Sequence, residues 1–134
     1  GLAQIDRFHE IAEKRKELTL KYREVLPDCV EAGLDHFGTG YVSAMHLFPI
    51  RIPGAGERER DRVFGELLDA GISCNVHYKP LPMFTAYIRL GFDIQDYPVA
   101  YDTFKNLITL PYHTSMSAQD VELVCRELEK AVRK

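Results

Sequence analysis

The chain has 134 residues, the size of one domain on the usual scale of about 100–200 residues. Apolar residues make up 46% and charged residues 28%, enough for one core, and the net charge of -3 gives no general attraction to nucleic acid or an anionic membrane. No apolar run approaches the roughly 20 residues that a membrane-spanning helix needs, and charge interrupts Gly1–Phe8 too early for a signal peptide.

Helical periodicity begins at once. Leu2, Ile5, Phe8 (or His9), Ala12, Leu18, Tyr22 and Val25–Leu26 recur at spacings near three and four, which predicts one amphipathic helix over 1–26. Glu10–Lys14 and Glu17–Lys21 are expected to pair on its wet side. Such a helix of about 25 residues is twice the globular mean of about 11–12 and would reach beyond a small domain. With no initiator Met before it, it reads as a spine connecting to something upstream.

Pro27 stops that helix, and 27–40 reads as a glycine-bearing loop with room for a short strand. Residues 41–52 are β-rich, with Phe48, Ile50 and Ile52 alternating onto one face, and Pro49 predicts an edge strand or a bulge. Pro53–Gly56 is a turn. A helix over 58–70 is expected to bury Val63, Phe64, Leu67 and Leu68, with Gly71 at a left-handed C-terminal cap. Ile72–Val76 reads as a second strand and Met83–Arg89 as one or two helical turns. Asp96 and Pro98 then mark the start of a helix whose inner face is Ala100, Phe104 and Leu107. Leu107–Leu110 is a third strand ended by Pro111. Ser117 and Asp120 form a near capping box for a last helix that buries Val121, Val124, Leu128 and Ala131–Val132.

A long helix followed by strand–helix–strand–helix–strand–helix predicts a two-layer α/β domain. A small mixed sheet carries helices mainly on one face, and strand direction does not follow from the pattern.

The chemistry-bearing residues gather where strands end. His77, Tyr78 and Lys79 leave the second strand together, and two prolines stiffen the exit; a strand that sets direction and a loop that gives exposure are suited to presenting ligand-binding groups. The same His77 and Tyr78 could simply close a strand–loop junction. His113 either lines a cleft or fixes the turn before Ser117, with the turn favoured. His46 reads as a core histidine, and His9 and His36 as surface. Cys29, Cys74 and Cys125, odd in number and widely spaced, read as free thiols of a reducing cytoplasm. Cys74 and His77 lack the second ligand pair that zinc wants. Gly54–Gly56 lacks the third glycine of a phosphate loop, and Glu57 and Glu59 would repel an anion there. The run Arg58–Arg62 reads as a solvated, self-neutralising face.

Taken in order, Gly1–Phe8, His46–Phe48, Leu68–Ile72 before His77–Leu81, and Leu110–His113 ahead of a capped helix resemble the C-terminal small domain of DegT/DnrJ/StrS-type sugar aminotransferases. The resemblance runs over essentially the whole chain and implies the aspartate-aminotransferase fold, fold type I of the pyridoxal-phosphate enzymes. It implies a full-length enzyme that moves an amino group from an amino-acid donor, usually glutamate, onto a nucleotide-linked keto-sugar. That enzyme would be a homodimer, with the Schiff-base lysine and the acid that pairs with the cofactor nitrogen in a large N-terminal domain.

On that reading 1–134 is one wall of the substrate cleft, with His77, Tyr78, Lys79 and His113 facing substrate and no catalytic residue of its own. The fragment would be inactive and cofactor-free when alone. Lys79 is rejected as the Schiff-base lysine, since a Lys-Pro loop exit offers no pocket to lower its pKa. Pro82 stands where many relatives have a second histidine and Thr114 where proline is common, departures that bear on which sugar is bound. A stand-alone binding or assembly domain, or the same domain of a sugar dehydratase, are the alternatives.

Overall fold

The computed structural model describes residues 2–41 and 43–134. Gly1, from the opening motif, and Val42, inside the expected 41–52 strand, lie outside them. The elements are α1 (Leu2–Asp6), α2 (Phe8–Val25), β1 (Glu31–Ala32), β2 (Phe48–Arg51), α3 (Glu57–Asp69), α4 (Thr85–Arg89), α5 (Pro98–Phe104), β3 (Leu107–Leu110) and α6 (Ala118–Val132). Short 3-10 turns at Leu81–Met83 and Ile94–Asp96 flank α4.

The sheet has the order β1-β2-β3, with Phe48 opposite Leu110 and Ile50 opposite Ile108. Because side chains alternate along a strand, these four share one face. All four are buried, and α2, α3 and α6 supply most of the remaining core through residues such as Leu18, Tyr22, Val63, Leu67, Val121, Val124 and Leu128. The two-layer arrangement and the helix-covered face are as the pattern predicts. The mixed sheet is corrected, because both strand pairings are antiparallel.

Pro49 sits in the middle strand rather than at an edge. Gly33 donates its amide to the Pro49 carbonyl at 2.8 Å, and the reciprocal bond is the one a proline cannot make. That missing donor faces the point where the two-residue β1 ends, so only one ladder bond is forfeited. The strand expected over 41–52 contracts to Phe48–Arg51. A Cβ on Gly33 would lie 3.1 Å from the Pro49 oxygen, so any other residue there would push the two backbones apart by a few tenths of an ångström.

The long N-terminal helix is broken at Arg7, whose φ of -97° and ψ of 2° divide α1 from α2. Leu2, Ile5 and Phe8 are exposed, so nothing among the described residues packs on that stripe to keep it continuous. The ion pairs on α2 form at the closer spacing of three, Lys14–Glu17 and Lys21–Glu24, and Lys21 reaches across to Glu122 on α6.

Several side chains depart from expectation. Leu68 and Ala100 are exposed, while His46 lies exposed outside the strand. His36 is buried, not on the surface. The solvated face predicted at 58–62 is interrupted by Arg60, which is only 3% exposed. Its guanidinium donates to the Phe104 carbonyl at 3.0 Å, lies 4.8 Å from the Phe104 ring centroid and pairs with Asp61 at 2.6 Å. A helical period of 3.6 turns Arg60 inward with Val63 and Leu67, and the carbonyls of Phe104, at the end of α5, and Leu107, at the start of β3, receive it. Charge composition alone cannot reveal such a partner.

Arg60→Ala should therefore lower stability by about 2–3 kcal/mol, the scale of charged hydrogen bonds lost from a buried site. Urea unfolding checks this, and a change under half a kcal/mol (about a third of a pK unit's worth) contradicts it. His36 gives a second test. Its Nδ1 meets Ser43 Oγ at 2.7 Å and its ring stacks on Phe48. Burial, aided by the Arg23 charge on α2, holds its pKa below the usual value, against a backbone hydrogen bond at Leu47 and the Asp35 carboxylate. The unfolded ring protonates near about pH 6.5, so its neutral burial costs nothing above that value. Stability should fall as pH drops through it, because the unfolded chain then binds the extra proton. His36→Gln should flatten that slope, and an unchanged slope refutes the assignment.

Candidate substrate-cleft wall

The Gly71–His77 segment is launched by the end of α3. Gly71 takes φ of +79°, its amide donates to the Leu68 carbonyl at 2.9 Å, and the Ile72 amide donates to the Leu67 carbonyl at 2.8 Å. This is a Schellman cap, closed by burial of both Leu67 and Ile72.

The strand expected over Ile72–Val76 is reduced to one bridge, in which Asn75 and Thr109 exchange both backbone bonds at 3.0 and 2.7 Å. A longer ladder would next set Ser73 opposite Pro111, which has no amide to give. Asn75 Oδ1 also captures the Val76 amide at 2.7 Å. The chain then leaves the sheet at His77.

The facing wall is Leu110–His113, and α2 holds it. The Tyr22 hydroxyl donates to the Pro111 carbonyl at 2.7 Å. The Tyr112 hydroxyl donates to the Arg15 carbonyl; with its proton so committed, it accepts from the Thr19 hydroxyl at 2.6 Å. Beneath them Tyr22 stacks on Phe48, with ring centroids 4.5 Å apart and planes 18° from parallel. Burial pushes the Tyr22 and Tyr112 pKa values up, so both stay hydroxyl donors at neutral pH. The wall ends in a turn, with the Met116 amide on the His113 carbonyl at 3.0 Å. A full capping box follows: Ser117 Oγ accepts from the Asp120 amide and the Asp120 carboxylate accepts from the Ser117 amide. Those Ser117 bonds hold the Asp120 carboxyl below its usual range.

Between the two walls lies an open cleft of about 640 Å³ lined by Asn75, His77, Thr109, Tyr112, His113 and Asp120, among others. A second cavity of about 640 Å³ lies on the other side of His77, lined by Tyr78, Tyr97, Pro98, Val99 and Phe104. His77 is half-buried and borders both. Tyr78 is exposed and set edge-on to it at 4.7 Å, bordering only the second cavity.

His113 is exposed, borders the first cleft and fixes the turn through its carbonyl, so both readings of it hold at once. Lys79 borders neither cavity; its ammonium lies over the Phe84 ring, 5.4 Å from the centroid. Thus His77 and His113 come together, His77 and Tyr78 come together, and Lys79 stays outside.

Asn75, Thr109, Tyr112 and Asp120 were not singled out from the sequence as site residues. The one available signal was Thr109, a hydroxyl inside the otherwise aliphatic Leu107–Leu110 strand. Cys74 also borders the first cleft, but burial pushes its thiol up to about 12, so it is no nucleophile at neutral pH.

Residues 1–129 match the model of the DegT/DnrJ/EryC1/StrS aminotransferase family, and the chain belongs to that family. Among curated relatives it is 30% identical over 130 residues to a UDP-4-amino-4,6-dideoxy-N-acetyl-beta-L-altrosamine transaminase of Campylobacter jejuni, a match covering 92% of this chain and 33% of that protein. It is 27% identical to the dTDP-4-dehydro-2,3,6-trideoxy-D-glucose 4-aminotransferase of Saccharopolyspora spinosa, over 98% of this chain and 33% of that one. Among solved structures, Spr1654 of Streptococcus pneumoniae, assigned as a sugar aminotransferase, is 39% identical with a TM-score of 0.95 over 99% of this chain and 33% of its own. Spr1654 has been solved in PLP, PMP and apo forms. The chain spans about a third of the length of these relatives.

Tyr112→Phe removes both the donor to Arg15 and the acceptor for Thr19. It should cost about 1–3 kcal/mol in unfolding free energy, leave far-UV circular dichroism unchanged, and move the His113 resonances in NMR spectra. An unmoved His113 would show that the wall does not depend on this tie.

Proposed function

We propose that this chain is the small domain of a pyridoxal-phosphate-dependent aminotransferase that transfers an amino group to a nucleotide-linked keto-sugar, and that it walls one side of the substrate cleft. The observation that carries the reading is the cleft at the strand ends, bordered by His77 and His113, within a fold that follows one third of Spr1654 at a TM-score of 0.95. Family membership and the nucleotide-sugar names of the curated relatives support the substrate class. An amino-acid donor, homodimeric assembly and a cytoplasmic setting complete the proposal. No helix among the described residues is long and apolar enough to cross a membrane.

The residues here do not by themselves compose a cofactor site. A Schiff-base lysine needs a desolvating pocket, and no lysine is among the buried residues described. Lys79 is exposed over an aromatic ring, and Lys21 and Lys105 are tied to Glu122 and Asp102. The cofactor and its chemistry are therefore assigned to residues outside this chain, and the roles kept here are binding and orientation. His77 and His113 would meet the sugar, and Tyr78 would cover the second cavity. Lys79, outside both cavities, would reach substrate only by leaving Phe84.

The test is the protein encoded by the complete reading frame that contains this segment, assayed with pyridoxal phosphate, glutamate and nucleotide-linked 4-keto sugars. Amino-sugar product is expected, with His77→Ala lowering kcat/KM at least about tenfold, equivalent to 1.4 kcal/mol of transition-state binding. Borohydride reduction with pyridoxal phosphate should label no lysine of this segment. A stoichiometric adduct on Lys79, or dehydration in place of transamination, overturns the reading.

A further inference from the structure

Among the described residues, two buried side-chain polar atoms have no hydrogen-bond partner: His77 Nδ1 and Thr109 Oγ1. They come from different segments, yet both residues border the first cleft, where the Asn75–Thr109 bridge brings the segments together. Thr109 is only 3% exposed in a strand otherwise made of leucine and isoleucine. A buried polar atom left unpaired costs about 1–3 kcal/mol, so two on one cleft are a standing deficit that an occupant would relieve. Valine would fill the same space as Thr109 without that cost.

The cleft also says what kind of group it takes. Its lining includes no lysine or arginine, and its one carboxylate, Asp120, is held ionised by the Ser117 capping bonds. A diphosphate would meet no compensating cation and one like charge. A hydroxyl group can both donate and accept, which matches a threonine hydroxyl and an imidazole nitrogen in either tautomer.

We propose that Thr109 and His77 form a hydroxyl-binding subsite of the first cleft, which receives the neutral, hydroxylated part of the sugar and not the diphosphate. The inference rests on the aminotransferase reading and adds Thr109 as a specificity-determining residue. Thr109 contributes the hydroxyl, His77 contributes Nδ1, and the paired backbone of Asn75 and Thr109 fixes the distance between them.

The experiment compares the complete enzyme with its Thr109→Val and Thr109→Ser variants, each assayed on a nucleotide keto-sugar and on analogues lacking one ring hydroxyl. Free nucleoside diphosphate serves as a competitive inhibitor. Thr109→Val should lower kcat/KM for the parent sugar about 3–10-fold, the range for one neutral hydrogen bond. Thr109→Ser should restore it, and the inhibition constant of the diphosphate should not change. One deoxy analogue should be discriminated by the wild type and not by Thr109→Val.

Unfolding midpoints show whether each variant is folded. If Thr109→Val is folded and treats every substrate as the wild type does, the atom is satisfied by water alone and the subsite is refuted. If it weakens the diphosphate equally, the specificity is refuted. Failure of the wild type to aminate any nucleotide sugar would instead overturn the aminotransferase reading, and the subsite with it.

Discussion

The hydroxyl bonds between α2 and the Leu110–His113 wall are the constraint on which the rest of the structure depends. Without them that wall is a proline-interrupted loop after a four-residue strand, with little ladder to hold it. Tyr22 takes the Pro111 carbonyl, and Tyr112 links Arg15 and Thr19. Pro111 has no amide to offer the Ser73 side, so the ladder to the opposite wall cannot extend past Asn75 and the segment opens; Tyr22 then gives the open segment a defined position. The same proline limits the opposite wall to a single bridge. The gap between the two walls thus follows from one residue.

The electrostatic character of the cleft follows from what the anchoring consumes. The Tyr22 and Tyr112 hydroxyls are spent on backbone carbonyls, and Asp120 is spent on the cap of α6. Cys74 is silenced by burial. What remains for a ligand includes the Ser73 hydroxyl, the Asn75 side-chain amide, His77, His113 and the hydroxyl of Thr109. These groups can bind and orient, but they do not form an acid–base pair with a nucleophile. On the proposed reading that is the chemistry of a wall, in keeping with a chain that spans a third of its relatives' length.

Much of this was legible in the sequence, for local reasons. The left-handed cap at Gly71, the Ser117–Asp120 capping box and the stop at Pro111 are short-range effects that a few residues dictate. The core faces of α3 and α6 followed from helical period. What stayed hidden depends on distant partners. Arg60 is buried because Phe104 and its carbonyl lie beside it, and His36 because Ser43 and Phe48 enclose it. The central place of Pro49 depends on where β1 ends, and the loss of the Ile72–Val76 strand depends on what would oppose Ser73. In the site, His77 and His113 stood out as titratable groups near prolines, whereas Thr109 matters only once the bridge to Asn75 brings it to the same cleft as His77.

Native-state hydrogen exchange on a Tyr22→Phe variant tests the central claim most directly. If α2 holds the wall, the amides of Met116 and Asn75, which bond to His113 and Thr109, should exchange about tenfold faster, while Val63 in α3 keeps its protection. Unchanged exchange at Met116 and Asn75, or an equal loss at all three amides, would contradict the account.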